Sequence, residues 1–455
     1  MKNINKIKLA NVAYQYDTSE KLSLLISNYK KNKRAQNVSF RKLVPWLKVG
    51  ERATHYIHSY PAKLLPQIAH FFLAANSFFP NDDVVLDPFG GTGTVALESI
   101  LAGKKAYFSD VNPLAQLIAR VKTHPLNEIG VSKSFRKIKE RFSDPNFPLL
   151  NNPDVVNLSY WYDEKTIFDL NKIRSAIALE KDCDVKNFLL ITFSTVCRKV
   201  SYADPRLSVP VKLKQQTEPR GLEVWEIFEI QLLSNIKRMS NFKVIKNSSS
   251  KAWFVGDDAR SLKAPSNNLS VSKPSLESNS VDLILTSPPY AGAQKYIRAS
   301  SLNLGWLDLV SSENLKKVEH SSIGREHHPK ISYLECPLTS IVDADRLIKR
   351  VYKLNPLRSK IVAEYLLEMK EAIREMVRVL KPGGYLVLVI GNNQVCGISF
   401  KSSEYLTSVC LSFGLNIELK LIDEIKSRGL MTKRNKTASI ITREWVLMFQ
   451  KPFNV

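Results

Sequence analysis

The feature that most constrains the fold is a buried strand that runs directly into a glycine turn and then a helix. Val84–Leu86 is a short apolar run that ends at an acid, Asp87, and the turn Gly90–Gly93 follows at once. A helix is predicted over Val95–Ala102 and a second strand over Ala106–Ser109. Strand, glycine turn, helix and strand in this order open a doubly wound parallel sheet. The sequence therefore predicts an α/β protein with a Rossmann-like sheet.

Further strands of the same sheet are predicted later in the chain, at Ala252–Val255, Val281–Leu285, Tyr385–Ile390, Asn416–Ile422 and Trp445–Phe449. The sequence between the second and third strands is polar and has a helical pattern, which predicts an insertion about the size of a small domain. A second stretch, rich in loop-forming residues, separates the fourth strand from the fifth.

These patterns divide the chain into four parts. A basic N-terminal arm covers residues 1–50, and the first part of the sheet domain, which carries the glycine turn, covers 51–124. The helical insertion covers 125–250 and is a candidate for DNA recognition. The second part of the sheet domain covers 251–455 and includes an irregular block, 296–360, as a second candidate for recognition.

The charge of the chain predicts a polyanionic partner. Lys and Arg number 66 against 43 Asp and Glu, for a net charge of +23, and residues 1–50 alone hold eleven basic and two acidic side chains. Such an excess attracts nucleic acid, although a solvated surface is the alternative. No signal peptide and no apolar run of membrane-spanning length is found, so we expect a cytoplasmic protein without a membrane partner. The five cysteines form no CxxC pair, and no metal is expected.

Acids at three strand ends predict the ligand of the glycine turn. Asp87 precedes the turn, Asp110 ends the second strand, and Asp258 follows the third strand beside Asp257. A strand-end acid in this place accepts hydrogen bonds from ribose hydroxyls, and another can accept from an adenine amino group. The turn is no phosphate-binding P-loop, because no Gly-Lys-Ser/Thr follows the glycines. Helix caps explain any one acid, but all three together with the turn indicate an adenosyl ligand that bears positive charge.

The string Thr286–Tyr290 (TSPPY) is the most specific in the chain. Two prolines straight after a buried strand cannot continue the hydrogen-bond ladder and fix a stiff turn. Ser287 offers a donor or acceptor to an amine, and Tyr290 offers an aromatic face for stacking. These parts suit methylation of an exocyclic amine on a base that has left its stack. The alternative is a strand terminated by Pro-Pro with an incidental tyrosine.

In order and content, the chain resembles the amino-methylating DNA methyltransferases, whose cofactor segment reads D-P-F-x-G-x-G-T and whose catalytic segment reads S/D/N-P-P-Y. The resemblance also takes in His58–Pro66, Val379–Gly384 and Arg443–Phe449, and it spans roughly residues 55–120, 252–300 and 365–451. It implies a Rossmann-like methyltransferase sheet, S-adenosylmethionine as cofactor and DNA as partner. It implies cofactor roles for Asp87, Phe89, Gly90, Gly91, Gly93, Asp110 and Asp258, and catalytic roles for Ser287, Pro288, Pro289 and Tyr290.

The resemblance also bears on the target base. A serine at position 287 is the form mostly found in the family's cytosine-N4 enzymes, so cytosine N4 is expected and adenine N6 is the closest alternative. An RNA amino-methyltransferase and a non-catalytic binder of the same fold are the further alternatives. The chain departs from the family in placing its large insertion between the second and third strands. A restriction endonuclease partner would be a separate chain.

Overall fold

The computed structural model describes residues 16–47, 53–60, 63–213, 223–246, 249–266, 274–292, 296–424 and 442–453. The strands are β1 (Gln36–Val38), β2 (Val84–Asp87), β3 (Lys105–Phe108), β4 (Ala252–Phe254), β5 (Val281–Thr286), β6 (Leu380–Ile390), β7 (Asn393–Val395), β8 (Ile398–Phe400), β9 (Asn416–Glu424) and β10 (Arg443–Gln450). The helices before the insertion are α1 (Ser19–Asn32), α2 (Phe40–Leu43), α3 (Pro66–Leu73), α4 (Thr94–Leu101) and α5 (Pro113–Thr123).

The insertion contributes α6 (Glu128–Ser143), α7 (Leu158–Trp161), α8 (Glu164–Ala178), α9 (Cys183–Val200) and α10 (Val224–Ile245). The later helices are α11 (Tyr296–Trp306), α12 (Leu315–Ser321), α13 (Val342–Leu354), α14 (Pro356–Val379) and α15 (Ser402–Ser412), with two 3₁₀ turns at Ser312–Asn314 and Lys330–Tyr333. No helix in these described ranges is both long and apolar enough to cross a lipid bilayer.

Eight strands form one twisted sheet in the order β1-β9-β10-β6-β5-β2-β3-β4. β10 runs antiparallel to both of its neighbours, and the other pairs are parallel. From β2 the chain first builds outward through β3 and β4 and then returns to build the other side from β5. The strand order therefore reverses between β2 and β5, and open α/β sheets bind ligands at the carboxyl ends of such strands. The predicted doubly wound fold is confirmed.

The sheet separates two cores, because successive side chains of a strand point to opposite faces. On one face, Val85, Leu283 and Val387 pack with α1 and α3. On the other, Leu86 and Ile284 pack with α14 and α15. Strands that are apolar on both faces must be covered on both, which is why their sequences are continuously apolar rather than alternating.

The insertion between β3 and β4 shares its core with the sheet domain. Apolar residues of α8–α10 form one buried cluster with those of α4, α5 and α11. Trp306 at the end of α11 is fully buried and lies 5.5 Å from the ring of Tyr162 and 5.9 Å from that of Phe193. Helix α11, which follows the TSPPY string, thus packs into the insertion, so the positions of α11 and the insertion are coupled.

The segment 16–47 is not a free arm, contrary to the expectation for residues 1–50. Leu22, Ile26 and Tyr29 of α1 and Phe40 of α2 are buried, and β1 forms the edge of the main sheet beside β9. The apolar spacing at 22, 26 and 29 is that of an amphipathic helix, which the density of Lys and Arg obscured. Residues 1–15 and 48–50 of the predicted arm lie outside the described residues.

The block 296–360 is more regular than expected. It contains α11, α12, α13 and the start of α14. In α13 the buried residues Ala344, Leu347, Ile348 and Val351 recur at helical spacing. The surrounding Ser-, His- and Pro-rich loops drew the sequence interpretation toward irregular structure.

Candidate functional site

The glycine turn lies between the end of β2 and the start of α4, as predicted. Gly93 has φ +70° at the N-terminus of α4, and a Cβ there would lie 2.9 Å from the Cβ of Ala119 on α5. Gly91 has φ +49° and its N–H points at the end of β3. The turn therefore requires glycine at these two positions for conformation, and at Gly93 also for the close contact with α5.

Asp110 ties this turn to β3. Its Oδ2 accepts from the N–H of Gly91 at 2.8 Å, and its Oδ1 accepts from the N–H of Asn112 at 2.8 Å. Burial raises the pKa of this carboxyl to about 6, against these two hydrogen bonds, which lower it. The two bonds occupy about half of the lone-pair positions of a carboxylate, so the remaining ones are open to a ligand.

Asp87 lies deeper, between the two central strands. Its Oδ1 accepts from the Thr286 hydroxyl at 2.5 Å and from the N–H of Phe89 at 3.1 Å. Burial raises the pKa of Asp87 to about 7, and these hydrogen bonds lower it. The contact with Thr286 joins the end of β2 to the start of the TSPPY string across the point where the strand order reverses.

One pocket brings together Phe89, Gly91, Asp110, Asp258, Ser287 and Pro289 of the predicted site residues. Four further predicted residues, Asp87, Gly90, Gly93 and Pro288, are buried behind it or support its wall, and Tyr290 packs against the adjoining core. The glycine turn and the TSPPY string thus meet in a single cavity.

One wall of this pocket is formed by two tyrosines to which sequence reasoning assigned no individual role. Tyr60 and Tyr296 are parallel, with ring centroids 6.2 Å apart and an interplanar angle of 8°. Asn112 donates from Nδ2 to the Tyr60 hydroxyl at 2.9 Å and to the Ser300 hydroxyl at 3.1 Å. Tyr60 belongs to the His58–Pro66 segment, of which residues 61 and 62 lie outside the described part. The pattern of that segment was the only available signal, since the other partners are remote in sequence.

The two acids after β4 have different surroundings. Asp258 forms a two-pronged ion pair with Arg260, whose Nε lies 2.9 Å from Oδ1 and whose Nη2 lies 3.0 Å from Oδ2. Asp257 is exposed and, within the described ranges, its side chain has no hydrogen-bond partner. Both acids line the pocket, and Arg260 two residues on was a readable signal that Asp258 would be paired.

Glu444 is a second residue that sequence reasoning missed. The Tyr290 hydroxyl donates to its Oε1 at 3.2 Å. This hydrogen bond connects the turn after β5 with the first part of β10. Burial raises the pKa of Glu444, and the hydrogen bond from Tyr290 lowers it. The bond fixes the tyrosine ring at its outer end. The pair is 154 positions apart, which no local pattern could reveal.

Within the described ranges, no three His, Cys, Asp or Glu side chains come close enough together to hold a metal ion.

Comparison with known proteins gives relatives of one kind, although no family model matches. The type II methyltransferase M.MvaI of Kocuria varians is 24% identical over 433 residues, which cover 88% of this chain and 92% of the relative. M.AvaI of Nostoc sp. PCC 7120 is 22% identical, over 81% of this chain and 80% of the relative. M.MjaII of Methanocaldococcus jannaschii is 30% identical over 128 residues, 26% of this chain and 23% of the relative.

Among solved structures, a SAM-dependent methyltransferase of Methanosarcina mazei aligns with 86% of this chain and 100% of its own, at 13% identity. Its TM-score is 0.29, too low for the superposition to carry an argument. The two sequence relatives that match over most of their length, M.MvaI and M.AvaI, are both type II methyltransferases.

Proposed function

We propose that this chain is an S-adenosylmethionine-dependent DNA methyltransferase that methylates the exocyclic N4 of cytosine in duplex DNA, with the target base flipped out of the helix. The observation that carries the proposal is the single pocket in which Ser287 and Pro289 of the TSPPY string meet Phe89, Gly91 and Asp110. A base held by the first set and a nucleoside held by the second would lie side by side. The type II methyltransferase relatives support methyl transfer as the reaction.

The pocket has the groups that an adenosyl ligand requires. Asp110 keeps lone pairs free for two ribose hydroxyls, and Gly91 lets the ligand approach the backbone. Asp257 and Asp258 both border the pocket, and we assign the acceptor for the adenine amino group to this pair. The buried carboxyl of Asp87 holds the turn through Phe89 and adds negative potential near a cationic ligand.

When bound, S-adenosylmethionine supplies an electrophilic methyl group on a sulfonium. The amine of the target base then needs to be in line with that methyl and held still, since most of the gain comes from proximity and orientation. Ser287 and the stiff Pro288–Pro289 turn hold the amine, and Tyr290, fixed by Glu444, stacks on the base. The cofactor would supply the methyl group, its sulfur would keep the electron pair of the broken C–S bond, and the amine proton would pass to water as or after the methyl arrives.

The choice of cytosine rests on Ser287 and the family resemblance, and adenine N6 and RNA amines are the other targets that the same site chemistry would serve. If the protein belongs to a restriction–modification pair, as the type II relatives suggest, its endonuclease would be a separate chain.

The test is transfer of a labelled methyl group from the cofactor to unmethylated genomic DNA and to RNA. We expect label in duplex DNA only, and Ser287→Ala to lower kcat roughly 10- to 100-fold, the cost of about one strong hydrogen bond in the transition state. Cofactor affinity should stay unchanged. Ser408→Ala, at an exposed position of α15, is the matched control and should behave as the wild type. Label in RNA alone would overturn the proposal.

A further inference from the structure

A second hollow adjoins the candidate site and is lined mainly by basic and histidine side chains. The lining residues are Arg298, Lys316, Glu319, His320, Arg325 and His327, which we call the basic hollow. They come from α11, from α12 and from the loop after α12. The hollow lies in the sequence region that follows the TSPPY string, and the site described above makes no use of it.

Some of these side chains are already committed to the protein. Arg325 forms ion pairs with Glu368 and, at 3.5 Å, with Glu364, both on α14. Glu319, the one acid of the lining, lies 3.9 Å from His327. Arg325 therefore builds the wall of the hollow, and Glu319 remains as an acid beside His327.

Three other side chains of the hollow have no hydrogen-bond or ion-pair partner among the described residues. In the ranges that the structure describes, neither Arg298, Lys316 nor His320 has a side-chain hydrogen bond or ion pair, and all three are exposed. Two basic side chains and an imidazole thus line one concave site and, in the part of the chain that the structure describes, none of the three is paired with an acid. Cations in a concave site focus positive potential and attract anions from solution.

The hollow shares a wall with the candidate active site. Ser321, Ser322 and Ile323, which directly follow His320, line the cofactor pocket. Arg260 donates to the backbone carbonyl of Ser321 at 3.2 Å. It also lies 3.0 Å from Glu368, the same carboxylate that holds Arg325.

Helix α11 makes the second connection. Arg298 lies on it between Tyr296, which lines the cofactor pocket, and Ser300, which is bonded to Asn112. An anion in the hollow would therefore sit beside the reacting base rather than at a remote surface.

We propose that the basic hollow binds a backbone phosphate of the DNA strand that carries the target base, with Arg298 and Lys316 as the ligands and His320 as a further donor. This inference rests on the proposed function and deepens it. A flipped nucleotide remains attached to its strand on both sides, so phosphates next to it must pass the rim of the pocket. Lys and Arg contacts to phosphate position the strand without reading sequence.

The test is the salt dependence of DNA binding by the double variant Arg298→Ala/Lys316→Ala, measured by fluorescence anisotropy with a mixed-sequence duplex. Neutralising one phosphate contributes about 0.9 to the slope of log affinity against log salt. We expect the variant's slope to be shallower by about 1. The ratio of wild-type to variant DNA affinity should therefore fall about fourfold between about 50 and 200 mM salt. The weakening should be similar for unrelated sequences.

The matched control is Lys105→Ala/Lys251→Ala. It removes the same charge from the amino ends of β3 and β4, whereas the candidate site lies at the carboxyl ends of the strands. It should keep the wild-type slope. Equal slopes for the basic-hollow variant and the wild type would overturn the inference, as would the same loss of slope in the control. Methyl transfer by the wild type is measured separately, so a failure of the proposed function is distinguished from a failure of the hollow.

Discussion

Replacing Asp110 with Asn tests the cofactor half of the site at one atom. The carboxylate accepts backbone N–H groups from Gly91 and Asn112 at 2.8 Å each and keeps about two lone-pair positions for ribose hydroxyls. An amide of the same shape has one oxygen, so its NH₂ group must face either a backbone donor or a hydroxyl.

A hydrogen bond to a charged group is worth about 1.5–3 kcal/mol. The variant loses two such bonds to the ligand, and the amide oxygen replaces them in part. The binding free energy of the cofactor should therefore weaken by about 3 kcal/mol. Affinity for the cofactor should therefore fall roughly 150-fold.

Isothermal titration calorimetry with S-adenosylmethionine measures this change directly. Asp144→Asn is the matched control, because Asp144 is exposed and accepts only a local backbone N–H from Asn146, at 2.9 Å. Its cofactor affinity should equal that of the wild type, and DNA binding by Asp110→Asn should be retained. A folded Asp110→Asn protein whose Kd rises less than threefold would refute the assignment of ribose to this carboxylate.

Three further outcomes are expected. Tyr290→Ala should weaken binding of duplexes with a flipped or mismatched target by about 1–3 kcal/mol of lost stacking, with cofactor affinity unchanged by calorimetry, and an equal loss of both ligands would contradict the division of roles. Because burial raises the pKa of Asp110 to about 6 and that of Asp87 to about 7, and both ionised forms favour the cationic cofactor, cofactor affinity should be constant above about pH 8 and fall at lower pH, while Asp110→Asn should remove only the part of the fall near pH 6 in the same titration. Gly93→Ala should lower the free energy of unfolding by about 2–3 kcal/mol in urea titrations, because φ is +70° and Ala119 lies 2.9 Å from the new Cβ. Gly130→Ala in α6, where the nearest side chain is 3.5 Å away, should leave stability equal or higher.

The sheet could be predicted from sequence because its signals are local. The apolar runs that become β2 and β5 end at Asp87 and at Thr286, and each is followed by residues that cannot continue a strand. Parallel strands place their carboxyl ends at one edge, so the nearness of the two strings followed from the fold alone.

The contacts that complete the site could not be predicted, since their partners are far apart in sequence. The bond from Thr286 to Asp87 spans 199 positions and that from Tyr290 to Glu444 spans 154. Helix α11 was missed for a related reason, because its apolar residues face the insertion and their spacing has meaning only once that core exists. Local pattern therefore gave the strand ends, and tertiary packing decided which side chains meet there.

The central claim, methyl transfer to the exocyclic N4 of cytosine in DNA, is tested most directly by mass spectrometry of nucleosides from DNA incubated with the protein and isotope-labelled S-adenosylmethionine. Our account predicts label in N4-methylcytosine. Label confined to N6-methyladenine would contradict the assignment of the base to the Ser287 site, and DNA without label, under conditions where the protein binds both ligands, would contradict the enzymatic function itself.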